Sequence, residues 1–305
     1  MSDLALLLLV ALALDALLGE PRALWDRLPH PAVVMGRAIG WCDGRFNAGS
    51  RRWLRGVLIL AGLAGLGWTL GAALSRLPFG AIVETALAAI LLAQRSLVDH
   101  VRAVAEALRI SLPEGRRAVA MIVGRDTATL DAPAVARAAI ESGAENLSDG
   151  VVAPAFWFLV AGLPGMIVYK IVNTADSMIG HRTERHEAFG WAAARLDDAL
   201  NWIPARLTAA LVALSHLDAS ALRTAFRDGP RHRSVNAGYP EAAMARVLGL
   251  ALSGPRAYGG AMTADPVLNP EGRRRATPED IDACAAALWR VWATGFLTVA
   301  LIAAL

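Results

Sequence analysis

Four short segments between Val123 and Arg206 concentrate carboxylate, amide and hydroxyl side chains in an otherwise apolar sequence. They read V-G-R-D-T from Val123, E-S-G-A-E-N-L-S-D-G from Glu141, N-T-A-D-S-M-I-G-H-R from Asn173 and R-L-D-D-A-L-N-W-I-P-A-R from Arg195. Buried carboxylates and amides each need a partner, so a fold alone rarely requires so many of them. We interpret these segments as a site that handles a small, polar and charged substrate.

Oxygen donors dominate the last two segments, which supply Asn173, Thr174, Asp176, Ser177, Asp197, Asp198 and Asn201. Magnesium prefers such hard donors, with a few carboxylates, several waters and a substrate phosphate. His181 and His186 are five residues apart and do not share a helix face, and the sequence has no H-E-x-x-H motif. The pattern favours magnesium and predicts neither zinc nor haem. A nucleotide would have to bind without a Walker phosphate loop.

The second segment places Glu141 and Glu145 on one predicted helix face, which Asp149 continues. The alternative is a solvated acidic face, but the apolar stretch that follows directly favours a position near the membrane or the core. Asp131 is predicted to cap the helix that begins at the next residue. Asp126 lies upstream of that cap, and the sequence gives it no such local role.

Hydrophobic residues make up 55% of the 305 residues and charged residues 19%, a balance typical of an integral membrane protein with polar loops. The candidate membrane segments are 4–18, 57–74, 79–93, 151–172 and 283–305. No stretch shows the alternation of a β-strand. We predict an all-α, polytopic membrane protein with a single membrane-embedded domain over 1–305 and polar catalytic loops. Basic tracts with interleaved aromatic residues are absent, so no nucleic-acid partner is expected.

Segment 151–172 holds Pro154, Gly162, Pro164 and Gly165, which would leave backbone groups unsatisfied in lipid. If this segment crossed fully, the block from Asn173 would lie on the opposite side of the bilayer from Asp126 and Glu145. We therefore expect a kinked or re-entrant helix. The arginine-rich loop 22–55 is predicted to be cytoplasmic, and the polar blocks with it. Gly62, Gly65, Gly67 and Gly71 in segment 57–74 have spacings suited to close helix packing.

The polar segments, in their order along the chain, resemble the CobD/CbiB family of membrane-bound adenosylcobinamide-phosphate synthases. The resemblance extends to H-P-x-x-x-M-G-R at His30, to F-G-W-A-A-A-R-L-D-D-x-x-N-W-I-P-A-R at Phe189 and to S-x-N-A-G-x-P-E-A-A-M-A at Ser234. It covers nearly the whole chain. The family resemblance implies a carbon–nitrogen ligase that joins adenosylcobyric acid to (R)-1-amino-2-propanol or its O-phosphate. ATP with magnesium is the implied driver, through an acyl phosphate.

On this resemblance we expect Asp126, Glu145, Asp149 and Asp176 to be catalytic, and Asp176, Asp197 and Asp198 to bind the metal. The residues expected to bind substrate or phosphate are Arg125, Asn146, Asn173, Arg182, Arg185, Asn201, Arg206 and Asn236. The expected location is the cytoplasmic (inner) membrane, with the active loops in the cytoplasm. The lipid bilayer, the corrinoid and the amine substrate are the expected partners, and other cobalamin-biosynthesis proteins are candidate partners.

Two alternatives remain open at the level of the sequence. A non-catalytic membrane sensor, scaffold or corrinoid-binding protein would use the polar blocks for binding alone, and the absence of a phosphate loop favours it. A transporter would depend on the charges inside the apolar segments, Asp15, Glu84 and Lys170. The concentration of carboxylates, amides and arginines favours the enzyme.

Overall fold

A computed structural model describes residues 2–124, 126–255, 257–258, 261–262 and 265–305. The first helices are α1 (Ser2–Leu18), α2 (Arg22–Trp25), α3 (Pro31–Phe46), α4 (Arg52–Ser75), α5 (Gly80–Leu91), α6 (Gln94–Ile110) and α7 (Leu112–Ala120). There follow α8 (Ala132–Leu147), a π-helical turn (Ser148–Val152), α9 (Ala153–Ile179), α10 (Trp191–Leu200), α11 (Trp202–Ser215) and α12 (Ala219–Asp228). A 3₁₀ turn (Gly229–Arg231), α13 (Gly238–Val247) and α14 (Pro278–Ala304) complete the helices.

Four two-residue strands form two short antiparallel ladders, a feature that the sequence did not predict. β1 (Leu252–Ser253) pairs with β4 (Val267–Leu268), and β2 (Ala257–Tyr258) pairs with β3 (Ala261–Met262). Strands this short carry no alternating pattern that periodicity could detect. Apart from one isolated bridge between Leu250 and Arg273, the rest of the described secondary structure is helical.

Four helical stretches in the described part of the chain are long and apolar enough to cross a membrane: Arg52–Ser75, Gly80–Ile110, Ala132–Ile179 and Pro278–Ala304. They contain or overlap the predicted segments 57–74, 79–93, 151–172 and 283–305. The predicted segment 4–18 lies in α1, whose 17 residues are shorter than a typical span. The protein is therefore an all-α polytopic membrane protein.

Helix α9 is kinked, as the sequence predicts. Ala161 (φ −141°, ψ 19°) and Gly162 (φ 63°, ψ −159°) leave the helical conformation, and Pro164 follows. Glycine suits the positive φ because it has no Cβ, and proline cannot donate the backbone hydrogen bond of a continuous helix. The kink is thus encoded by three neighbouring residues.

The contacts between residues group the chain into two compact units, and the prediction of a single domain remains a prediction. The first unit contains the residues up to Ala93, Ala153–Asn201 and Val299–Leu305. In it α9 packs against α3, α4, α5 and α10, and a small core forms around Val172, Ile179 and Phe189. The second unit contains Gln94–Val152 and Trp202–Thr298, and its core draws on α6, α8, α13 and α14.

Two of the four glycines predicted to pack closely do so. A Cβ on Gly71 would lie 2.7 Å from Pro164 Cα, and one on Gly67 would overlap the side chain of Ile171. A Cβ on Gly62 or Gly65 would meet nothing within 4 Å. Gly56, at the start of α4, also needs to lack a Cβ, because the carbonyl of Phe189 lies against it. The approach of α4 to its neighbours thus depends on three glycines along one side of the helix.

Candidate functional site

The last turns of α9 and helix α10 bring together four predicted site residues, Asn173, Asp176, Asp197 and Asn201, which we call the carboxylate–amide cluster. Asn173 Nδ2 donates to Asp197 Oδ1 at 3.2 Å, and Asn201 Nδ2 donates to Asp197 Oδ2 at 3.0 Å. Tyr169 OH donates to Asn201 Oδ1 at 2.9 Å. Spacings of three and four residues along each helix place these side chains on facing sides of α9 and α10.

The cluster has the electrostatics of a site for a cation or a proton. Burial is the main cause that raises the pKa of Asp197 to about 7, and repulsion from the Asp176 carboxylate adds to it. Hydrogen bonds from Asn173 and Asn201 oppose the shift without cancelling it. A carboxyl group with a pKa near neutrality can accept and release a proton under physiological conditions.

We predict that the stability of the protein decreases as the pH rises from about 4 to about 7 and then levels off. A carboxyl group whose pKa is higher in the folded than in the unfolded state binds its proton more tightly when folded. Between the ordinary aspartate pKa of about 4 and the folded-state pKa of about 7, only the folded state holds the proton of Asp197, so stability falls across this interval and stops falling once the folded state also releases the proton. Thermal unfolding in detergent, without divalent cations, should show this decrease, and Asp197→Asn should flatten it.

The control for this measurement is Asp99→Asn, which removes an exposed carboxylate of α6 that pairs with Arg95 at 3.0 Å. Its dependence on pH should match that of the natural sequence. An equal slope in the Asp197→Asn variant would contradict the assignment of the titration to the cluster.

Asp198, the third predicted metal ligand, has cationic neighbours. Arg195 Nη1 lies 3.8 Å from its Oδ2, and both Arg195 and Arg182 lower its pKa, although burial keeps the net shift upward. Among the described residues no group of three or more His, Cys, Asp or Glu side chains is arranged to hold a metal. Asp176 and Asp197 with nearby amide oxygens still fit Mg²⁺, which takes few protein carboxylates and completes its shell with water and phosphate.

Arg185, a predicted substrate-binding residue, is engaged by Asp43. Its Nη2 and Nε donate to Asp43 Oδ2 at 2.6 and 3.1 Å. Burial alone would raise the pKa of Asp43, but hydrogen bonds from Arg185, Asn47 and His186 outweigh it and hold the pKa below its ordinary value. Asp43 is therefore charged at neutral pH.

The two units divide the predicted site residues between them. The first holds Asn173, Asp176, Arg182, Arg185, Asp197, Asp198 and Asn201, and the second holds Asp126, Glu145, Asn146, Asp149, Arg206 and Asn236. Arg125 lies outside the described residues.

In the second unit Glu141 and Glu145 lie four residues apart on α8, as predicted for one helix face, but their environments differ. Glu141 is 4% exposed and accepts the backbone N–H of Ser253 at 2.6 Å, whereas Glu145 is exposed. Asp149 lies in the π-helical turn, which changes the angular position of the residues that follow Leu147. Such turns are frequent at functional sites.

We predict different effects for the two glutamates of α8. Glu141→Gln should lower the free energy of unfolding by about 1.5–3 kcal/mol, because a buried charge-assisted hydrogen bond is weakened. Glu145→Gln should change it by less than about 0.5 kcal/mol, since the residue is exposed. Thermal unfolding of both variants checks this, and equal losses would contradict a structural role for Glu141.

Asp126 has a local role that the sequence did not reveal. Its Oδ1 accepts the backbone N–H of Ala128 at 2.9 Å, which is the geometry of an Asx turn. The predicted cap at Asp131 is present, because Asp131 Oδ1 accepts the N–H of Ala134 at 2.9 Å. Asp126 is exposed, so its carboxylate is accessible at the surface of the turn.

Arg206 and Asn236, both predicted to bind substrate, contact each other. Arg206 Nη1 donates to Asn236 Oδ1 at 3.0 Å, and its guanidinium lies 4.4 Å from the ring centroid of Trp202 and 4.0 Å from that of Tyr239. Arginine favours such stacked positions. Asn146 donates to the carbonyl of Ser142 at 2.9 Å.

Sequence reasoning missed Asp43 and Tyr169. Tyr169 precedes Asn173 by four residues on α9, so its helix spacing could have indicated a shared face. Asp43 lies 142 residues from Arg185 in the sequence, and no motif marks it. Only the fold brings that pair together.

Comparisons with known proteins identify the family of this chain. The profile described as "CobD/Cbib protein" matches residues 8–288. A protein from Sinorhizobium sp named "Cobalamin biosynthesis protein CobD" is 54% identical over 301 residues, covering 93% of each chain. Proteins of the same name from Brucella suis (50% identical, 98% and 96% covered) and Rhodobacter capsulatus (48%, 99% and 98%) are also similar. No solved structure matches. The chain thus belongs to the CobD/Cbib family.

Proposed function

We propose that this protein acts in cobalamin biosynthesis as a carbon–nitrogen ligase. It joins the carboxyl group of adenosylcobyric acid to (R)-1-amino-2-propanol or its O-phosphate, and the product is adenosylcobinamide or its phosphate. Membership of the CobD/Cbib family and the names of its relatives support the pathway. The membrane helices support a site next to the lipid bilayer, where an amphipathic corrinoid can lie.

The observation that carries the proposed reaction is the pair Asp176 and Asp197, held among neutral amides with one pKa near 7. Asp176 and Asp197 would hold Mg²⁺, which when bound neutralises phosphate charge and polarises a phosphoryl oxygen. Asp198 contributes at the edge of the same site. Asn173 and Asn201 orient Asp197 by donating to its two oxygens.

The proposed reaction uses ATP as the co-substrate and proceeds in two steps. The substrate carboxylate attacks the γ-phosphorus of ATP, and ADP leaves. The amine then attacks the acyl carbon of the resulting acyl phosphate, inorganic phosphate leaves, and the ammonium proton passes to a protein base. Arg182 carries the positive charge that suits a transferred phosphoryl group.

Asp126, Glu145 and Asp149 are the proposed groups of the second unit that take up the amine proton or orient the amine. Glu145 and Asp126 are exposed at the surface of the protein, and Asp149 is half-buried in the π-helical turn. Asn146 is proposed to bind an amide side chain of the corrin ring. We place the active loops in the cytoplasm, at the inner membrane, because the arginine-rich loop 22–55 favours that orientation.

A ligation assay tests the proposal directly. Detergent-purified protein is incubated with adenosylcobyric acid, ATP, Mg²⁺ and either aminopropanol or its O-phosphate, and the products are identified by mass. Product that requires both protein and ATP is the expected result. Corrinoid binding without product would favour the scaffold or sensor alternative.

The transporter alternative has one structural observation in its favour. Asp15 in α1 and Glu84 in α5 are 4% and 9% exposed within apolar helices of the first unit. Intramembrane carboxylates often mark ion pathways. If the ligase proposal is correct, Asp15→Asn and Glu84→Gln leave ligation per folded molecule unchanged; loss of ligation in both would contradict it.

A further inference from the structure

Loop 180–190 joins α9 to α10, and so it connects the two helices that carry the carboxylate–amide cluster. Its base is fixed by backbone contacts. Gly180 N donates to Asp176 O at 2.7 Å, and Gly190 N donates to His186 O at 2.7 Å. A Cβ on Gly190 would overlap the carbonyl of Ile179, so the two ends of the loop lie against each other. Loops with closely packed ends of this kind are compact and frequently functional.

The tip of the loop is held by three polar side chains of α3, α4 and the turn between them: Asp43, Asn47 and Arg52. Asn47 Nδ2 donates both to Asp43 Oδ1 at 2.7 Å and to the carbonyl of Arg185 at 3.0 Å. Arg52 Nη1 donates to the carbonyl of Glu184 at 3.2 Å. We call these three residues the tip clamp.

Asp43 is the centre of the tip clamp. Its Oδ2 accepts two N–H groups of Arg185 and lies 3.4 Å from Nε2 of His186. The Asp43 side chain is 13% exposed, whereas that of Arg185 is 60% exposed. Two donors on one shielded carboxylate oxygen make an interaction that holds the tip in one place, because charge-assisted bonds are stronger than neutral ones.

Arg182 lies between the base and the tip of the loop. It is exposed, and it lies three residues after the end of α9, the helix that carries Asn173 and Asp176. The position of Arg182 relative to the cluster is therefore set by the loop on both sides: at the base by Gly180, and at the tip by Arg185.

We propose that Asp43 is a positioning residue, which holds Arg185 and thereby fixes loop 180–190 so that Arg182 is presented to the phosphate of the substrate. In this proposal Arg185 binds Asp43 and does not contact the substrate, whereas Arg182 does contact it. The substrate part of this inference rests on the proposed function.

The first experiment needs no enzymatic activity. Trypsin cleaves after Arg182 only when the loop opens, so the cleavage rate at native conditions reports how firmly the tip is held. Asp43→Asn should increase cleavage after Arg182 by about tenfold, since two charge-assisted hydrogen bonds are weakened. The control Asp99→Asn, which removes a different arginine-paired carboxylate, should cleave at the natural rate. Unchanged cleavage in Asp43→Asn would overturn the clamp, whether or not the protein is a ligase.

The second experiment asks whether the clamp acts through Arg182. Kinetics of ligation are measured for Asp43→Asn, Arg182→Gln and the double variant. Each single variant should raise KM for ATP or aminopropanol phosphate by about tenfold, and the double variant should be no worse than Arg182→Gln alone. Additive losses would refute a role through Arg182.

A charge swap, Asp43→Arg with Arg185→Asp, should restore slow cleavage, and its failure to do so would refute the pairing with Arg185. Absence of product from the natural sequence would refute the proposed function, while the trypsin result still decides the clamp.

Discussion

Replacing Asp176 with asparagine is expected to reduce amide-forming turnover by at least about 100-fold while the protein stays folded. Asp176 faces Asp197 across the cluster and raises its pKa, so the two carboxylates share one environment. Asparagine has the same shape, and the close contact between this side chain and Gly180 is preserved. The loss should therefore come from the missing negative charge and not from packing.

The measurement is single-turnover ligation followed by mass, with thermal unfolding as the control for folding. Asp197→Asn should show a loss of similar size, because the same site is altered. Asp99→Asn, with an exposed carboxylate, should retain full turnover. Normal turnover in Asp176→Asn would remove this cluster from the mechanism.

Gly56→Ala is expected to be the most disruptive single methyl addition in α4, with a loss of more than about 3 kcal/mol or failure to fold. The added Cβ would overlap the carbonyl oxygen of Phe189, which belongs to the backbone and cannot rotate away. Phe189 is 1% exposed in the core of the first unit, so its displacement would disturb that core. The melting temperature and the yield of monodisperse protein in detergent report the effect.

The matched control is Gly62→Ala, six residues further along the same helix. A Cβ there meets nothing within 4 Å, and alanine is the better helix former, so stability should be unchanged or higher by up to about 1 kcal/mol. Equal melting temperatures for Gly56→Ala and Gly62→Ala would contradict the contribution to stability that the structure indicates for the close contact between α4 and Phe189.

Several residues in the polar segments stabilise the fold, and their types alone do not distinguish them from residues of the site. Glu141 binds a buried backbone N–H, Arg185 pairs with Asp43, and the guanidinium of Arg206 lies over two aromatic rings. Each looked like a candidate for chemistry in the sequence. A carboxylate or guanidinium is the same chemical group whether it stabilises the fold or binds substrate, and only its neighbours in the structure distinguish the two roles.

The sequence by itself determined the membrane class, the helical fold and the family. Apolar length marks spans without reference to tertiary contacts, because the bilayer sets a minimum length. Local signals also predicted the cap at Asp131 and the kink in segment 151–172, since each depends on a few adjacent residues. The sequence partly indicated that Asp176 and Asp197 lie near each other, because both belong to polar segments that were expected to converge.

The tertiary structure decided which polar side chains are buried, which are paired and which glycines are needed. Asp43 and Arg185 meet across 142 residues, and Gly56 faces Phe189 while Gly62 faces open space. The raised pKa of Asp197 likewise arises from burial and from a carboxylate on another helix. These properties depend on distances between segments remote in sequence, and periodicity and composition contain no information about such distances.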